Sequence, residues 1–255
     1  MKRRQRKVSL VKMLPSFPFW YSYQVHFVEI KTAESYHQHQ QDAAQTLTVL
    51  LEAHPQCNPK HSVAVGKIMS CHGEQKTKDP TTESYLQLQM NQSVQGSIDS
   101  FLAEEDVEGV RWNNDVVTVK QRFQLTSAND ILIIQLKRFG VNSFTQESWK
   151  DERMMTLDSV IRIPVGMKVN KYTLECIIEH IGKSPHIGHY KAYLRIDNRW
   201  RCCDDHRVTD MTEAELPASL KKQSYLLFYR CVFVSGNAAP SFVEVLVWFD
   251  TRRSR

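Results

Sequence analysis

The pattern of apolar and polar positions predicts a helical first third of the chain. From Glu34 to His54, apolar side chains recur at helical spacing and fall near one face. They are Ala43, Ala44, Leu47, Leu50 and Leu51. Pro55 is expected to end this helix. Residues 55–83 are polar and rich in turn formers, so the pattern predicts a loop or a reduced subdomain there.

The remainder of the chain has the apolar runs and alternation of strands. Tyr85–Met90 alternates, and Ser97 is expected to cap a short helix through Glu105, because its hydroxyl can satisfy free amides in the first turn. The further predicted strands are Ile131–Phe139, Tyr172–Ile178, Gly188–Ile196, Arg199–Cys203 and Ser224–Val234. A helical beginning followed by antiparallel strands indicates an α+β fold.

The composition indicates what class of protein this is. The 255 residues are 42% hydrophobic and 24% charged, which is typical of a globular protein and enough for one large or two small domains. The longest apolar stretches are far shorter than a membrane span, and Lys12, Pro15 and Pro18 interrupt any secretory signal. The sequence therefore predicts no membrane association.

Charge and cysteine content bear on location. Much of the net charge of +5 lies in Met1–Lys12 and Arg252–Arg255, which are either solvated ends or targeting and nucleic-acid patches. No base-reading motif accompanies them, so a specific nucleic-acid partner is not predicted. The six cysteines are scattered rather than arranged as a disulfide scaffold, which favours a reducing compartment: cytoplasm, nucleus or both.

The stretch Ser184–Asp205, SPHIGHYKAYLRIDNRWRCCDD, has the most chemical content. Gly188 permits a close backbone approach directly before His189. A hairpin turning near Asp197 would return the chain to Asp204 beside that histidine, where a carboxylate would fix the imidazole tautomer. Spacing alone also fits a structural histidine, so the pair is a candidate half of a nucleophilic triad.

Several motifs in one order carry a resemblance to a known family. They are QQDAAQTLTVLL (Gln40–Leu51), SIDSFLAEEDVEGV (Ser97–Val110), ILIIQLKRF (Ile131–Phe139), YTLECIIEHIG (Tyr172–Gly182), GHYKAYLR (Gly188–Arg195), Trp200 with Asp204 and Asp205, and SYLLFYR (Ser224–Arg230). This ordered set resembles the ubiquitin-specific proteases (ubiquitin carboxyl-terminal hydrolases). Gln45 and Thr46 depart from the Glu-Phe pair usual in the first motif.

The resemblance implies a fold of the papain-like cysteine protease superfamily. Residues 34–234 would be a partial catalytic domain, the C-terminal part, whose antiparallel sheet bears the histidine and aspartate half of the site. Residues 1–33 would be a basic and aromatic N-terminal segment, and residues 235–255 a C-terminal tail.

The resemblance also implies roles for individual residues. His189 matches the catalytic base, Asp204 the acid that orients it, and Asp205 a neighbouring acid able to share that role. Tyr190, Tyr172 and Gly188 would border the channel for the C-terminal tail of ubiquitin. The implied partner is ubiquitin or a ubiquitinated protein, and the implied reaction is thiol-dependent isopeptide cleavage.

Two family features are missing from the sequence. The nucleophile lies in a cysteine box before the Gln-Gln-Asp-Ala helix, but no cysteine precedes Gln40, so this chain alone is predicted to be inactive. Zinc-binding pairs of cysteines usually flank the 85–110 region, but Cys71 has Glu74 at its partner position and Arg111–Val117 has no cysteine. Neither a metal nor another cofactor is predicted.

Three hypotheses stay open. The chain is an incomplete part of an active deubiquitinating thiol protease, or a pseudo-deubiquitinase that binds ubiquitin or another partner without cleaving. In the third, an unorthodox cysteine of this chain is the nucleophile. The third has the least support, because Cys57 and Cys71 lie after the Gln-Gln-Asp-Ala helix and Cys203 is expected to be buried.

Overall fold

The computed structural model describes residues 42–53, 62–184 and 187–232. The helices are α1 (Ala43–Ala53), α2 (Val94–Leu102) and α3 (Leu220–Gln223), with a 3-10 turn at Glu213–Glu215. The strands are β1 (Val63–Cys71), β2 (Glu74–Glu83), β3 (Leu86–Leu88), β4 (Glu105–Trp112), β5 (Asp115–Ala128), β6 (Ile131–Leu136), β7 (Phe139–Val141), β8 (Ser148–Lys150), β9 (Val160–Val165), β10 (Lys168–Ser184), β11 (Ile187–Ile196), β12 (Arg199–Asp204), β13 (Arg207–Met211) and β14 (Ser224–Cys231). None of the helices in these ranges is long and apolar enough to cross a membrane.

The long strand β10 organises the main sheet. One of its edges pairs first with β9 and then with β11, and its other edge pairs with β14. From β11 the sheet continues through β12 to β13, and from β14 it continues through β6 to β3. The α+β prediction is therefore confirmed only in part, because the described fold is mostly β-sheet with few helices.

Two apolar clusters cover the two faces of this sheet, because side chains alternate along each strand. Ile177 and Tyr193 belong to the cluster that also packs against α2. Their neighbours Ile178 and Ala192 belong to the opposite cluster, which includes Leu47 of α1. Sheet and helices thus pack both faces of the middle of β11, and His189 lies near the partly exposed start of that strand.

Of the two alternatives predicted for residues 55–83, a loop or a reduced subdomain, the loop is wrong over the part that the structure describes. Residues 62–83 contain β1 and β2, which form an antiparallel hairpin that turns at His72 and Gly73. Every residue of β2 is exposed, so no face of it needs apolar side chains and the sequence shows no alternation. The strand is instead fixed by its backbone pairing with β1.

The predicted helix boundaries also need correction. Ser93, not Ser97, is the N-cap of α2, and its Oγ accepts a hydrogen bond from the Gly96 amide at 3.0 Å. Ser97 lies inside the helix and is buried. The first helix begins at Ala43, after the Asp42 side chain accepts from the Ala44 amide; residues 34–41 lie outside the described ranges.

Candidate functional site

The β11–β12 hairpin brings His189 and Asp204 together, as the spacing predicted. Its two turn residues, Asp197 and Asn198, have φ of 48° and 63°, and positive values at both positions belong to the tight hairpin turns that match strand twist. Ala192 pairs with Cys203, and continuing that register places Asp204 across from Lys191 and diagonal to His189 on the same face. A one-residue slip would turn Asp204 to the other face of the sheet.

The pair itself is closely bonded. Nε2 of His189 lies 2.5 Å from Oδ1 of Asp204, and both side chains are about one-third exposed (32%). Burial acts to raise the pKa of Asp204, but hydrogen bonds from His189 and Lys191 outweigh it, so the pKa lies below its usual range. Because Nε2 faces the aspartate, Nδ1 is the ring nitrogen left to exchange a proton with another group.

Asp205 stands beside this pair. It is exposed, has a φ of 51°, and its carboxylate belongs with His189 and Asp204 to a cluster of side-chain atoms within 4.8 Å of one another. In the described part of the chain, no other cluster of three or more His, Cys, Asp or Glu side chains is this close. The short hydrogen bond occupies one ring nitrogen of His189 and one oxygen of Asp204, an arrangement that suits proton handling.

Gly188 is required by the close approach of β10 and β11. A Cβ there would lie 2.4 Å from the Ile181 carbonyl oxygen and 2.5 Å from Nε2 of His180. Gly182, its pairing partner, has the same constraint, since a Cβ would lie 2.4 Å from the Ile187 carbonyl oxygen. This glycine pair lets the backbone beside His189 lie directly over a buried imidazole.

That buried imidazole and its neighbours were missed by sequence reasoning. His180 is fully buried, and burial lowers its pKa to about 4. Lys150 donates to the His180 carbonyl oxygen at 2.5 Å and to the side-chain oxygen of Gln223, and burial lowers its pKa to about 8. The apolar run around Glu179 and His180 looks like any core strand, so no sequence signal marks this network.

The two tyrosines expected at the ubiquitin tail lie in different places. Tyr190 follows His189 but is buried on the opposite face, in ring contact with His180 and Tyr225. Tyr172 is fully buried and donates to the Asn129 carbonyl oxygen at 3.1 Å. It lies nine positions along β10 from the residue paired with His189, or about 30 Å. The structure does not bring Tyr172 to this site.

The cysteines in the described strands near the site are poorly suited to attack. Burial raises the pKa values of Cys176, Cys202 and Cys203, which lowers the thiolate fraction at neutral pH. Cys203 precedes Asp204 and therefore points to the opposite face. Cys202 shares the face of Asp204 but pairs with a residue four positions beyond His189 on β11, too far for a proton transfer.

The region where the family usually binds zinc contains another arrangement. Cys71 packs with Trp112 and Val119 in a small apolar cluster. Glu74 accepts hydrogen bonds from the indole nitrogen of Trp112 at 3.3 Å and from the side-chain amide of Asn113 at 3.0 Å. The residues described around Cys71 thus use apolar packing and a carboxylate bridge.

Comparison with known proteins identifies the family. The sequence profile of the family described as "Ubiquitin carboxyl-terminal hydrolase" matches residues 25–229. Ubiquitin carboxyl-terminal hydrolase 25 of Arabidopsis thaliana is 30% identical over 192 residues, which are 71% of this chain and 28% of that protein. Ubiquitin carboxyl-terminal hydrolase 17-like protein 13 of Homo sapiens is 28% identical over 172 residues, 64% of this chain and 32% of that protein.

The fold is similar to solved structures of the same kind. A SAGA DUB module containing Ubp8, bound to monoubiquitin, matches with a TM-score of 0.68 and 21% identity over 77% of this chain and 50% of that chain. The same module bound to ubiquitin aldehyde matches with a TM-score of 0.67. The chain spans about a third of the length of these curated relatives and half of these solved chains. It belongs to the ubiquitin carboxyl-terminal hydrolases, with a partial catalytic domain of the ubiquitin-specific protease type.

Proposed function

We propose that this chain supplies the histidine and aspartate half of a deubiquitinating thiol protease site. The observation that carries the proposal is the 2.5 Å contact between His189 Nε2 and Asp204 Oδ1, at a partly exposed strand end of a chain of this family. Solved relatives with this fold hold ubiquitin, which supports ubiquitin as the partner.

The proposed chemistry assigns one task to each side chain. Nδ1 of His189 takes the proton of a cysteine thiol, and the thiolate attacks the isopeptide carbonyl at the C-terminus of ubiquitin. His189 then gives the proton to the leaving lysine amine, and water hydrolyses the thioester. Asp204 fixes the tautomer with Nε2 protonated and stabilises the imidazolium, while Asp205 lies close enough to share that charge.

In this proposal the nucleophile is a cysteine outside the described strands. The described thiols near the site have raised pKa values, and Cys203 faces away from Asp204. Gly188 and Tyr190, on either side of His189, stay as the proposed border of the ubiquitin tail. Tyr172 is left out, because it lies about 30 Å along β10 from the position paired with His189.

The same placement of the thiols favours a second candidate function. With no activated thiol among the described cysteines near the site, the chain would bind ubiquitin without cleaving it, as a pseudo-deubiquitinase. The two candidates share the ubiquitin-binding surface and differ in chemistry alone. Binding and cleavage therefore have to be measured separately.

The deciding experiment has two parts. The purified chain is titrated into ¹⁵N-labelled ubiquitin, and we expect shifts concentrated in the ubiquitin C-terminal tail. The cysteine-bearing N-terminal part of the Arabidopsis relative is then fused before residue 42, and hydrolysis of a fluorogenic ubiquitin amide is followed. We expect cleavage that falls about 100-fold or more in the His189→Asn and Asp204→Asn variants.

Each outcome decides between the candidates. Ubiquitin binding without cleavage by the fusion would reject the enzymatic proposal and support the pseudo-deubiquitinase. No tail shifts and no cleavage would reject both. A covalent adduct between the unfused chain and a C-terminally activated ubiquitin probe, seen by intact mass, would show that a cysteine of this chain attacks.

A further inference from the structure

Asp204 is held at both of its carboxylate oxygens. Oδ1 lies 2.5 Å from Nε2 of His189, and Oδ2 lies 3.1 Å from Nζ of Lys191. His189 and Lys191 are two residues apart on β11, so both side chains leave the same face of the sheet. A carboxylate bonded at both oxygens cannot rotate without breaking one of the two contacts.

Of the two carboxylates next to Lys191, Asp204 is better placed than Glu179 to form an ion pair with it. Glu179 pairs with Lys191 across β10 and β11, but its oxygens already accept from Tyr193 at 2.9 Å and Ser219 at 2.8 Å. The hydrogen bond to Asp204 is the largest cause of the raised pKa of Lys191. The side chain of Lys191 is only 26% exposed, so solvent competes weakly for its ammonium group.

The other charged groups around Asp204 are less well placed to hold it. Arg207 is its pairing partner on β13, but it is exposed to solvent. Asp205, the next residue, is exposed and is a carboxylate like Asp204, so it offers no cation to hold it. His180, beneath the glycine pair, is kept neutral by burial, which lowers its pKa to about 4. The ion pair with Lys191 is therefore the second fixed contact of this carboxylate, after His189.

We propose that Lys191 is a positioning residue of the His189–Asp204 pair, whose ammonium group holds Oδ2 of Asp204 so that Oδ1 stays directed at Nε2 of His189. This deepens the proposed function and rests on it for its catalytic meaning, although the contact itself does not depend on it. Held in this way, Asp204 keeps the proton of His189 on Nε2, and Nδ1 stays available to a nucleophile.

The contact can be tested without a cysteine or ubiquitin. The ¹³C signal of the Asp204 carboxyl group is followed against pH in the full chain and in the Lys191→Met variant. We expect the Asp204 titration to move to higher pH in Lys191→Met, because the ionised carboxylate loses a donor and a cation. We also expect the Nε2 proton of His189 to exchange faster with water, since its acceptor is free to rotate.

Two variants control the comparison. Lys191→Arg keeps the charge and the donor and should restore most of the wild-type titration. Lys168→Met makes the same charge change on an exposed part of β10, about 40 Å along the strand from the position paired with His189. It should leave the titration of Asp204 as in the wild type. Coincident Asp204 titrations in wild type and Lys191→Met would overturn the proposal.

A reciprocal measurement covers the case in which Lys191→Met does not fold. In Asp204→Asn the lysine is kept, and the titration of its Nζ signal should move to lower pH, because coupling between two sites is mutual. An unmoved Lys191 titration would reject the ion pair. Neither readout involves ubiquitin. Failure of ubiquitin binding or cleavage would reject the proposed function and leave the Lys191–Asp204 contact standing. Failure of the titration experiments would reject the contact and leave the proposed function standing.

Discussion

His180 shows how one residue acquires unusual chemistry from its surroundings. It is fully buried, and its Nε2 has no hydrogen-bond partner among the described residues. The ammonium group of Lys150 lies 3.4 Å from its Nδ1 and adds to the effect of burial in lowering the pKa to about 4. The fold thus keeps this imidazole neutral at pH values where an exposed histidine is charged.

We predict that His180 makes the stability of the protein fall between pH 6.5 and pH 4. In that range the unfolded chain binds a proton at this residue and the folded chain does not, so the contribution is complete above pH 6.5 and is lost as pH falls toward 4. The loss is up to about 3 kcal/mol in the free energy of unfolding. Urea unfolding at a series of pH values measures it.

The His180→Gln variant should have a flatter pH dependence than the wild type over this range. His72→Asn, at an exposed turn position whose positive φ suits asparagine, should behave as the wild type. Parallel pH profiles for wild type and His180→Gln would show that His180 does not cause the loss.

At the scale of single elements, α2 illustrates a boundary set by one hydrogen bond. Both Ser93 and Ser97 precede helical positions and both are good N-cap residues by type. Ser93 has the extended backbone of a cap and bonds the Gly96 amide, whereas the hydroxyl of Ser97 is buried without a partner in the described structure.

The two serines should therefore respond differently to the same change. Ser93→Ala should cost about 1 kcal/mol in the free energy of unfolding, because a helix amide loses its acceptor. Ser97→Ala should be neutral or slightly stabilising, because an unpaired buried hydroxyl is removed. Chemical denaturation of both variants measures this, and an equal cost at the two positions would contradict the assigned cap.

The sequence specified elements well where their pattern was local. The β11–β12 hairpin was predicted because a turn signal separates two alternating runs, and its register makes Asp204 a diagonal neighbour of His189 on the same face. The β1–β2 hairpin was not predicted, because the exposed β2 has no apolar face and its strand character comes from pairing with β1. Strands fixed by backbone pairing alone leave little trace in composition.

At the scale of the whole molecule, the cluster around Trp112 is separate from the two clusters that cover the main sheet. It contains Cys71 and Val119 and is bridged by Glu74, with the Lys76 ammonium group 4.1 Å from the centroid of the indole ring. It joins β1, β2, β4 and β5 at the ends of their hairpins. This region is expected to open independently of β10 and β14.

We predict that Trp112→Ala loosens this region alone. Removing a Trp side chain that is 6% exposed should lower the local opening free energy by about 3 kcal/mol, and so raise amide exchange about 100-fold in β1, β2, β4 and the start of β5. Hydrogen exchange followed by mass spectrometry measures it.

Exchange in β10 and β14 should stay as in the wild type. Val116→Ala, at a position 71% exposed on β5, is the control and should change little. A uniform rise in exchange across all strands after Trp112→Ala would show that the described sheet opens as one cooperative unit.

The sequence by itself determined the family and the positions of the chemical groups. Ordered motifs gave the resemblance that the family profile bears out over residues 25–229. A local hairpin pattern placed His189 near Asp204, because register in a tight hairpin is set by adjacent residues. These features depend on short stretches of chain, which is why they can be recognised from the sequence.

The tertiary structure alone decided which side chains surround that pair. Lys150 donates to the carbonyl oxygen of His180, 30 positions away, and Ser219 donates to the carboxylate of Glu179, 40 positions away. The buried Arg138 likewise donates to carbonyl oxygens of residues more than 80 positions away, including Ser224. Such contacts depend on long-range pairing of strands and on burial, and neither is encoded in the spacing of local motifs.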